Sequence, residues 1–277
     1  MFTLNCRGRL LTIDRPVVMG IINSTPDSFF ADSRQQSVNA ALRQAEKMLN
    51  DGAAMLDIGG QSTRPGSTQV TAAEELARIE NIIPAIHNRF PEAVISVDTY
   101  YASVARMAVQ AGAAIVNDIS GGMLDEAMLT TVAGLKAVYI CMHMKGNPQT
   151  MQQHTQYEDV TRDVLDYFIE RTEDCRLAGI NDVIVDPGIG FSKTIQQNFE
   201  LIKNLATLRM LQKPLLLGVS RKGTIYKTLG ITADEALNGT TVLHTIGLLN
   251  GANILRVHDV KEAVEAIKLV DACAFAG

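Results

Sequence analysis

Short apolar segments alternate with amphipathic segments along the whole chain. The apolar segments are rich in β-branched and aliphatic residues and lie at 17–22, 55–58, 94–97, 115–119, 137–142, 183–185, 215–219 and 254–257. Between them, apolar positions recur three or four residues apart, which predicts helices such as 38–50, 72–88, 103–111, 157–177 and 233–249. The apolar segments do not alternate in polarity, a property typical of parallel strands covered on both faces.

Eight strands and about eight helices in this order predict an α/β fold, a (β/α)8 TIM barrel. Such a barrel needs about 250 residues, whereas a doubly wound open sheet normally uses fewer parallel strands. Residues 2–5 and 10–13 flank Arg7-Gly8-Arg9 and predict an N-terminal β-hairpin that closes the barrel floor. No linker divides the chain, so we expect one domain over 1–277, with the hairpin at 1–16 and the barrel at 17–277.

Composition and charge narrow the classes of partner. The 277 residues include 25 Lys and Arg against 30 Asp and Glu, a net charge of −5, and no segment forms a basic stripe that would attract nucleic acid. No apolar run approaches the roughly 18 residues of a membrane span, and the first residues do not resemble a signal peptide. We therefore expect a cytoplasmic protein without membrane partners. Its four scattered cysteines predict reduced thiols rather than disulfides or a zinc site.

Polar residues close nearly every predicted strand. The active site of a TIM barrel lies at the carboxyl ends of its strands, so these residues are expected to meet at one rim. One set is rich in donors suited to phosphate oxygens: Asn23, Ser62, Thr63, Arg64, Arg256 and His258. A second set suits the amino and ring N–H groups of a flat heterocycle: Asp98, Asn117, Asp186 and Lys222. Together they predict a planar nitrogen heterocycle that carries a phosphate ester.

Several polar residues also have a purely structural interpretation. Asp57 could be a helix cap or a loop anchor, Asp118 could brace its turn, and Asp259 fits the N-cap of the last helix. His244 lies in a helical segment and is expected to be a surface or packing residue. Met142, Met144 and Met151 are expected in the core or in a pocket wall.

Five segments, in order and each at a predicted strand end, resemble the dihydropteroate synthase family. They read MGIINSTPDSF at 19–29, DIGGQSTRPG at 57–66, DPGIGF at 186–191, SRK at 220–222 and RVHDV at 256–260. The resemblance extends over essentially the whole chain. It implies a transferase of folate biosynthesis that joins 6-hydroxymethyl-7,8-dihydropterin diphosphate to p-aminobenzoate, giving 7,8-dihydropteroate and pyrophosphate.

The resemblance also implies roles for individual residues. Catalysis would fall to Arg64, Lys222, Asp186 and Asp98. The pterin would contact Asp98, Asn117, Met142, Asp186, Gly218 and Lys222. The diphosphate would contact Asn23, Thr63, Arg64, Arg256 and His258, with Asn23 also holding Mg²⁺. The p-aminobenzoate site would use Phe29, Pro65, Phe191, Lys222 and Gly223. Sulfonamides are the implied inhibitors, and a homodimer built on outer helices near the carboxyl end is the implied assembly.

Four positions depart from the usual family pattern. The aspartate of the first loop, Asp32, is displaced by one position, Gln61 replaces a glutamate, and Tyr101 stands where lysine is common. Gly223 replaces a serine whose hydroxyl contacts the p-aminobenzoate carboxylate in the family. Since a lost hydrogen bond to a charged group costs about 1.5 to 3 kcal/mol, we expect weaker p-aminobenzoate and sulfonamide binding, with activity retained.

The polar groups favour a mechanism without a covalent enzyme intermediate. No Ser/His/Asp or Cys/His set is suggested, so we expect dissociative substitution, with pyrophosphate leaving before the amine attacks. The loops at 23–37 and 60–71 could close over the diphosphate. Three alternatives stay open: a methyltetrahydrofolate-type methyltransferase with a cobalamin partner, a Schiff-base lyase using Lys222, and a non-catalytic or altered-affinity pterin-binding homologue.

Overall fold

Ten strands are present in the part of the chain that the computed structural model describes, residues 1–24, 31–62, 67 and 69–274, with only the backbone described for 31–36. They are β1 (Phe2–Cys6), β2 (Arg9–Ile13), β3 (Val17–Asn23), β4 (Met55–Gly59), β5 (Val94–Asp98), β6 (Ile115–Asp118), β7 (Val138–Met142), β8 (Val183–Asp186), β9 (Leu216–Leu217) and β10 (Ile254–Val257). The last eight correspond to the eight predicted barrel strands.

Strands β3 to β10 form one parallel sheet in the order β8-β7-β6-β5-β4-β3-β10-β9. The sheet closes into a barrel between β8 and β9, where a single parallel bridge joins Val185 to Leu215. The Val185 N–H also donates to the Pro214 carbonyl across this seam, at 3.0 Å. The predicted (β/α)8 barrel is therefore confirmed, with one junction held by little backbone pairing.

Ten α-helices surround the barrel in the described residues. They are α1 (Ala31–Asn50), α2 (Ala72–Ile79), α3 (Ile82–Arg89), α4 (Ala102–Gln110), α5 (Met128–Leu135), α6 (Val160–Ala178), α7 (Ile195–Lys203), α8 (Gly223–Leu229), α9 (Leu237–Leu249) and α10 (Val260–Ala274). Short 3₁₀ helices occur at Met151–Gln153 and Leu205–Leu211. Capping boxes fix the starts of two helices, formed by Thr71 with Glu74 and by Thr194 with Gln197.

The structure corrects several predicted boundaries. The single helix predicted over 72–88 is two helices, because Pro84 has no N–H for the Glu80 carbonyl and its ring would clash there. Helix α1 begins seven residues before the predicted start at 38, so the loop predicted over 23–37 is much shorter. The strand predicted over 215–219 is shorter: only Leu216–Leu217 pair with β10. Leu215 forms the isolated bridge with Val185, and its N–H is taken by the Asn253 side chain at 2.9 Å.

The N-terminal hairpin closes the amino end of the barrel, as predicted. Arg7 and Gly8 both adopt left-handed backbone conformations, with φ of 56° and 94°, which is the requirement of a type I′ turn. Buried Leu4 and Ile13 pack in one cluster with inward-facing residues of the barrel strands: Met19, Met55, Val94, Ile115, Val138, Ile140, Ile184, Leu216 and Ile254. The larger cluster lies between the strands and the surrounding helices.

Two further findings concern the chemical setting of the chain. All four cysteines are free, as predicted. Within the described residues, no helix combines the length and apolar character that crossing a membrane requires.

The hairpin generates a prediction about stability. Ile13→Ala removes a side chain that is 2% exposed and leaves a cavity in the barrel floor, so we expect unfolding free energy to fall by about 2 to 5 kcal/mol. Leu10→Ala on the same strand is the control, because Leu10 is 67% exposed and its loss should change stability by less than about 0.5 kcal/mol. Urea unfolding of both variants measures this, and equal effects would contradict a packed floor.

Candidate active site

The carboxyl ends of the strands bring the predicted polar residues to one rim. The sheet register places Asn23 beside Gly59, Gly59 beside Asp98, and Asp98 beside Asn117. On the other side of the barrel, Asp186 lies beside Met142. Four predicted site residues, Phe29, Thr63, Arg64 and Pro65, lie outside the described residues, as does the side chain of Asp32.

Arg256 forms the centre of a buried network. Its Nε donates to Asp57 Oδ2 and its Nη2 to Asp98 Oδ2, each at 2.6 Å. Asn117 Nδ2 donates to the same Asp57 oxygen at 2.9 Å. Asp57 is fully buried, so the interpretation of this residue as a helix cap or loop anchor is wrong. Its carboxylate instead fixes Arg256 and Asn117.

Burial and charge act in opposite directions on this network. Burial raises the pKa of Asp98 to about 7, and the Arg256 guanidinium offsets only part of that shift. For Arg256, burial is outweighed by the Asp57 and Asp98 carboxylates, which raise its pKa and hold it charged. Within the described residues, Oδ1 of Asp57 and Oδ1 of Asp98 are buried without a hydrogen-bond donor. Such oxygens are suited to accept from the amino groups of a bound heterocycle.

Asp186 and Lys222 form the opposite side of the barrel mouth, the opening that is bounded by the carboxyl ends of the strands. The Gly188 N–H donates to Asp186 Oδ1, and Lys222 Nζ donates to the Ile189 carbonyl, each at 2.8 Å. Gly218 separates the two side chains, because a Cβ at this position would lie 3.4 Å from Lys222 Nζ and 3.9 Å from Asp186 Oδ2. Burial raises the pKa of Asp186 and lowers that of Lys222 to about 8.

An apolar wall adjoins this side. It is one cluster of Tyr100, Ile119, Met142, Met144, Met151 and Phe191. The Lys222 ammonium lies 4.9 Å from the centre of the Phe191 ring, within the range of a cation–π contact. The methionines therefore lie in a buried apolar cluster next to the mouth, in line with the core or pocket-wall position expected from the sequence.

His258 and its neighbours lie beside β10. Ser220 Oγ is 3.1 Å from His258 Nδ1 and accepts from the His258 N–H at 3.2 Å. Arg221, from the same SRK motif, forms a two-pronged salt bridge with Asp259 at 2.8 and 2.9 Å. Helix α10 begins directly after Asp259, at the predicted place, but the Asp259 carboxylate serves this salt bridge.

Asp118 is a structural carboxylate, as one interpretation of the sequence proposed. It accepts hydrogen bonds from the Ser120 N–H and hydroxyl, the Gly122 N–H and the Tyr139 hydroxyl, at 2.7 to 2.8 Å. These donors brace the turn after β6.

Two of the unusual residues tie loops together. Gln61 is buried, donates to Glu75 Oε2 at 2.6 Å and accepts from the Tyr100 hydroxyl at 3.0 Å. The amide is therefore turned toward helix α2, although the sequence suggested only a charge removed beside the diphosphate loop. The Tyr101 hydroxyl donates to the Val70 carbonyl at 2.8 Å, which joins the loop after β5 to the end of the loop after β4.

Sequence reasoning missed three buried polar residues near the mouth. Glu75 left no signal, because it lies in an ordinary polar helix sequence. Lys193 and His143 also went unassigned, and their side chains lie 2.9 Å apart between Nζ and Nδ1. For Asp57 a signal existed, since it is a charged residue inside an apolar strand segment. In the described residues, no group of three or more His, Cys, Asp and Glu side chains could hold a metal ion.

Comparison with known proteins gives a consistent result. The family model described as pterin binding enzyme matches residues 19–258. The chain is 42% identical over 272 residues to dihydropteroate synthase of Escherichia coli (strain K12), covering 97% of this chain and 95% of that protein. It is 44% identical over 261 residues to dihydropteroate synthase of Synechocystis sp., covering 93% of this chain and 90% of the relative.

Solved structures agree. The Yersinia pestis dihydropteroate synthase in a sulfonamide drug complex superposes with a TM-score of 0.93 at 39% identity, covering 99% of this chain and 100% of that one. The Xanthomonas albilineans dihydropteroate synthase with 4-aminobenzoic acid gives a TM-score of 0.91 at 37% identity, covering 99% of each chain. The Xanthomonas albilineans enzyme in complex with 7,8-dihydropteroate gives 0.88 at 34% identity, covering 100% of both chains.

The Arg256 network generates a prediction about stability. Arg256→Met leaves two buried carboxylates without their cation, so we expect unfolding free energy to fall by about 3 to 5 kcal/mol. Protonation removes the uncompensated charge, so the deficit should shrink as the pH is lowered from neutral. Arg162→Met is the control, since its ion pair with Asp166 is exposed and contributes less than about 1 kcal/mol. A deficit equal to that of the control, or one independent of pH, would contradict the assignment.

Proposed function

The chain belongs to the family of pterin-binding enzymes that includes the dihydropteroate synthases, and from that premise we propose how its barrel mouth joins 6-hydroxymethyl-7,8-dihydropterin diphosphate to p-aminobenzoate. The observation that carries the proposal is the set of buried acceptors around two half-buried cations: Asp98, Asn117 and Asp186 around Arg256 and Lys222. A pterin offers amino and ring N–H donors to such acceptors, and its diphosphate needs the cations. No observation favours the methyltransferase, lyase or non-catalytic alternatives.

The pterin ring is assigned to the inner part of the mouth. Asp186 would accept from the pyrimidine edge of the pterin, held for this by the Gly188 N–H. Asp98 and Asn117 would contact the ring from the adjoining strand ends, and Met142 would supply an apolar face. Gly218 leaves room for Lys222 to lie next to Asp186 and to donate to the ring.

The diphosphate is assigned to the outer rim beside β3 and β10. Arg256 on β10 and His258 directly after it would bind its oxygens, and so would Thr63 and Arg64, which follow β4 in the sequence. Asn23 is the proposed Mg²⁺ ligand: it ends β3 at the rim, and its Oδ1 lies 3.7 Å from the Cβ position of Gly59 at the end of the next strand. An amide oxygen at the rim is a ligand type that a hard cation such as Mg²⁺ accepts. Bound Mg²⁺ would neutralise part of the diphosphate charge.

The chemical step is a substitution at the pterin CH₂ group. We infer that the CH₂–O bond breaks first and that its electron pair leaves with pyrophosphate, which Arg64, Arg256 and Lys222 stabilise. The Asp98 and Asp186 carboxylates favour the positive charge that remains delocalised over the pterin. The p-aminobenzoate nitrogen then forms the new C–N bond and releases a proton to pyrophosphate or water. Its attack is assisted chiefly by its position.

The p-aminobenzoate site is assigned to the outer face of Lys222. Phe191 would pack against the aromatic ring, together with Phe29 and Pro65 from the two loops. Gly223 begins helix α8, and a Cβ there would lie 3.4 Å from the Tyr226 hydroxyl, an ordinary contact. The site therefore has room for the serine that the family usually places at this position. A sulfonamide, as an analogue of the amine substrate, would occupy the same site.

The proposed assembly is a homodimer in the cytoplasm. Helix α9 presents an apolar stripe of Val242, Ile246 and Leu249, which are 50%, 37% and 71% exposed. Leu269 on the neighbouring helix α10 is 68% exposed. A second copy would bury this surface, in line with the outer helices near the carboxyl end. Free cysteines in the core are compatible with a reducing compartment.

The proposed reaction predicts a product. Dihydropterin diphosphate and labelled p-aminobenzoate should give labelled dihydropteroate and pyrophosphate, and chelation of Mg²⁺ should slow the reaction. Asp186→Asn and Arg256→Ala should each lower kcat/KM by about a hundredfold or more, because each removes charge stabilisation in a buried site. Asp166→Asn on the exposed side of α6 should leave kcat/KM unchanged.

Pterin binding without product would identify a non-catalytic homologue. Pyrophosphate release that strictly requires the amine would contradict the dissociative order.

Restoring the usual family serine at position 223 is predicted to tighten binding of p-aminobenzoate and of sulfonamides. Gly223→Ser adds a donor for the p-aminobenzoate carboxylate, so KM for p-aminobenzoate and Ki for a sulfonamide should each fall by about tenfold. Gly134→Ser is the matched control, because a Cβ at Gly134 would contact nothing within 4 Å. Unchanged KM and unchanged inhibition in Gly223→Ser would refute the role assigned to this position.

The apolar stripe on α9 predicts the assembly. Leu249→Glu places a charge in the proposed interface and should convert a dimer into a monomer in sedimentation experiments at micromolar concentration. Leu177→Glu is the control, since Leu177 is 69% exposed on α6, away from the stripe. A monomeric wild-type protein, or a Leu249→Glu variant that remains dimeric, would contradict the proposal.

A further inference from the structure

Lys193 is a buried lysine directly behind the active-site mouth. Its side chain belongs to the segment between β8 and α7, and the residue is 3% exposed. The Nζ atom donates to the Phe191 carbonyl at 3.0 Å and to the Gly188 carbonyl at 3.1 Å. It lies 2.9 Å from His143 Nδ1, and the His143 carbonyl is more distant at 3.5 Å. Lys193 therefore joins the end of β7 to two points of the loop after β8.

The donors and acceptors of this group match in number. A lysine ammonium has three protons, and three close acceptors surround it: two carbonyl oxygens and one imidazole nitrogen. His143 Nδ1 must then be unprotonated, in keeping with the lowered pKa of His143, which burial and the Lys193 charge produce. Among the described residues, no carboxylate forms a salt bridge with Lys193. The ammonium is held by backbone and imidazole acceptors rather than by an ion pair.

The loop that Lys193 holds supplies the contacts that orient the site. The Gly188 N–H donates to Asp186, and the Ile189 carbonyl accepts from Lys222, each at 2.8 Å. The ring of Phe191 lies against the same Lys222 ammonium. Left-handed backbone conformations recur in this loop, at Gly188, Gly190 and Ser192, with φ of 69°, 89° and 47°. Such a backbone needs fixing from outside, because regular hydrogen bonding does not define it.

We propose that Lys193 is a positioning residue of the reaction: by binding the Gly188 and Phe191 carbonyls and His143, it fixes the loop that holds Asp186 and Lys222 in place. It touches no substrate and acts through the loop backbone. The proposal rests on the proposed function, because Asp186 and Lys222 are there assigned to the pterin.

The charged groups that face Lys193 make its protonation, and therefore its hold on the loop, depend on pH. Burial lowers its pKa to about 7, Lys222 and Lys145 add to this effect, and Asp186 opposes it. His143 faces it as a neutral ring. As the pH rises through about 7, the ammonium loses a proton and a lone pair replaces a donor. The amine can then donate to only two acceptors, and the contact with His143 Nδ1 is kept only if the imidazole moves its own proton to that nitrogen. The loop should therefore loosen before Lys222, with its pKa of about 8, deprotonates.

The direct test is Lys193→Met, which keeps the length and removes the donors. Two readouts apply: kcat/KM for dihydropterin diphosphate, and the affinity for 6-hydroxymethylpterin followed by pterin fluorescence. We expect each to fall by about tenfold or more, since several hydrogen bonds that position the site are lost. Lys203→Met is the matched control, because Lys203 is exposed at the end of α7 and should change both readouts by less than about twofold. Unchanged pterin affinity and kcat/KM in a folded Lys193→Met variant would overturn the proposal.

The pH profile separates positioning from a merely structural role. In the wild type, the alkaline fall of kcat/KM should begin near pH 7, and in Lys193→Met it should move up toward pH 8, where Lys222 titrates. A variant profile parallel to that of the wild type, at lower height only, would also overturn the proposal. Lys193→Gln retains an amide donor and serves if the methionine variant does not fold, with an intermediate loss of affinity expected. Wild-type protein that binds pterin but makes no product would contradict the proposed function alone.

Discussion

The fork of Arg256 between Asp57 and Asp98 is the interaction on which the rest of the mouth depends. Two carboxylates inside one barrel would repel each other, and the guanidinium between them compensates both charges. Because Asp57 also accepts from Asn117, the same network fixes an amide on the next strand but one. An anion that binds at the rim therefore meets an Arg256 charge that the two carboxylates already neutralise in part.

The mouth is organised by one repeated arrangement: a charged side chain is held by the backbone or by a buried neighbouring side chain. Asp57 holds Arg256, the Gly188 N–H holds Asp186, and the Ile189 carbonyl holds Lys222. Each of these side chains has rotatable bonds and would sample several rotamers if water were its only hydrogen-bond partner. Preorganisation of this kind reduces the reorganisation needed when the diphosphate bond breaks, which is where electrostatic stabilisation is most effective.

The sequence allowed the barrel and most of the rim to be predicted, because strand periodicity and strand ends are local properties. Asn117, Asp98, Asp186 and Lys222 could be placed together because parallel strands all end at one edge. The partner of Arg256 could not, since Asp57 lies 199 positions away and only the closed barrel brings the two together. The direction of Gln61 was missed for a similar reason: its partners Glu75 and Tyr100 come from a helix and a loop whose packing no local pattern encodes. The break before Pro84, by contrast, was readable from the chemistry of proline alone.

The seam between β8 and β9 has a consequence for how substrate and fold depend on each other. In the described part of the chain, the backbone pairing between the two strands consists of the bridge from Val185 to Leu215 and its neighbouring hydrogen bond. Asp186 lies on one side of this seam, and Gly218 and Lys222 lie on the other. A pterin that accepts and donates across this gap would act as a staple, supplying bonds that the backbone lacks. Part of the pterin binding free energy would then oppose local opening of the barrel between β8 and β9. The bound pterin would in that sense complete the contact between β8 and β9.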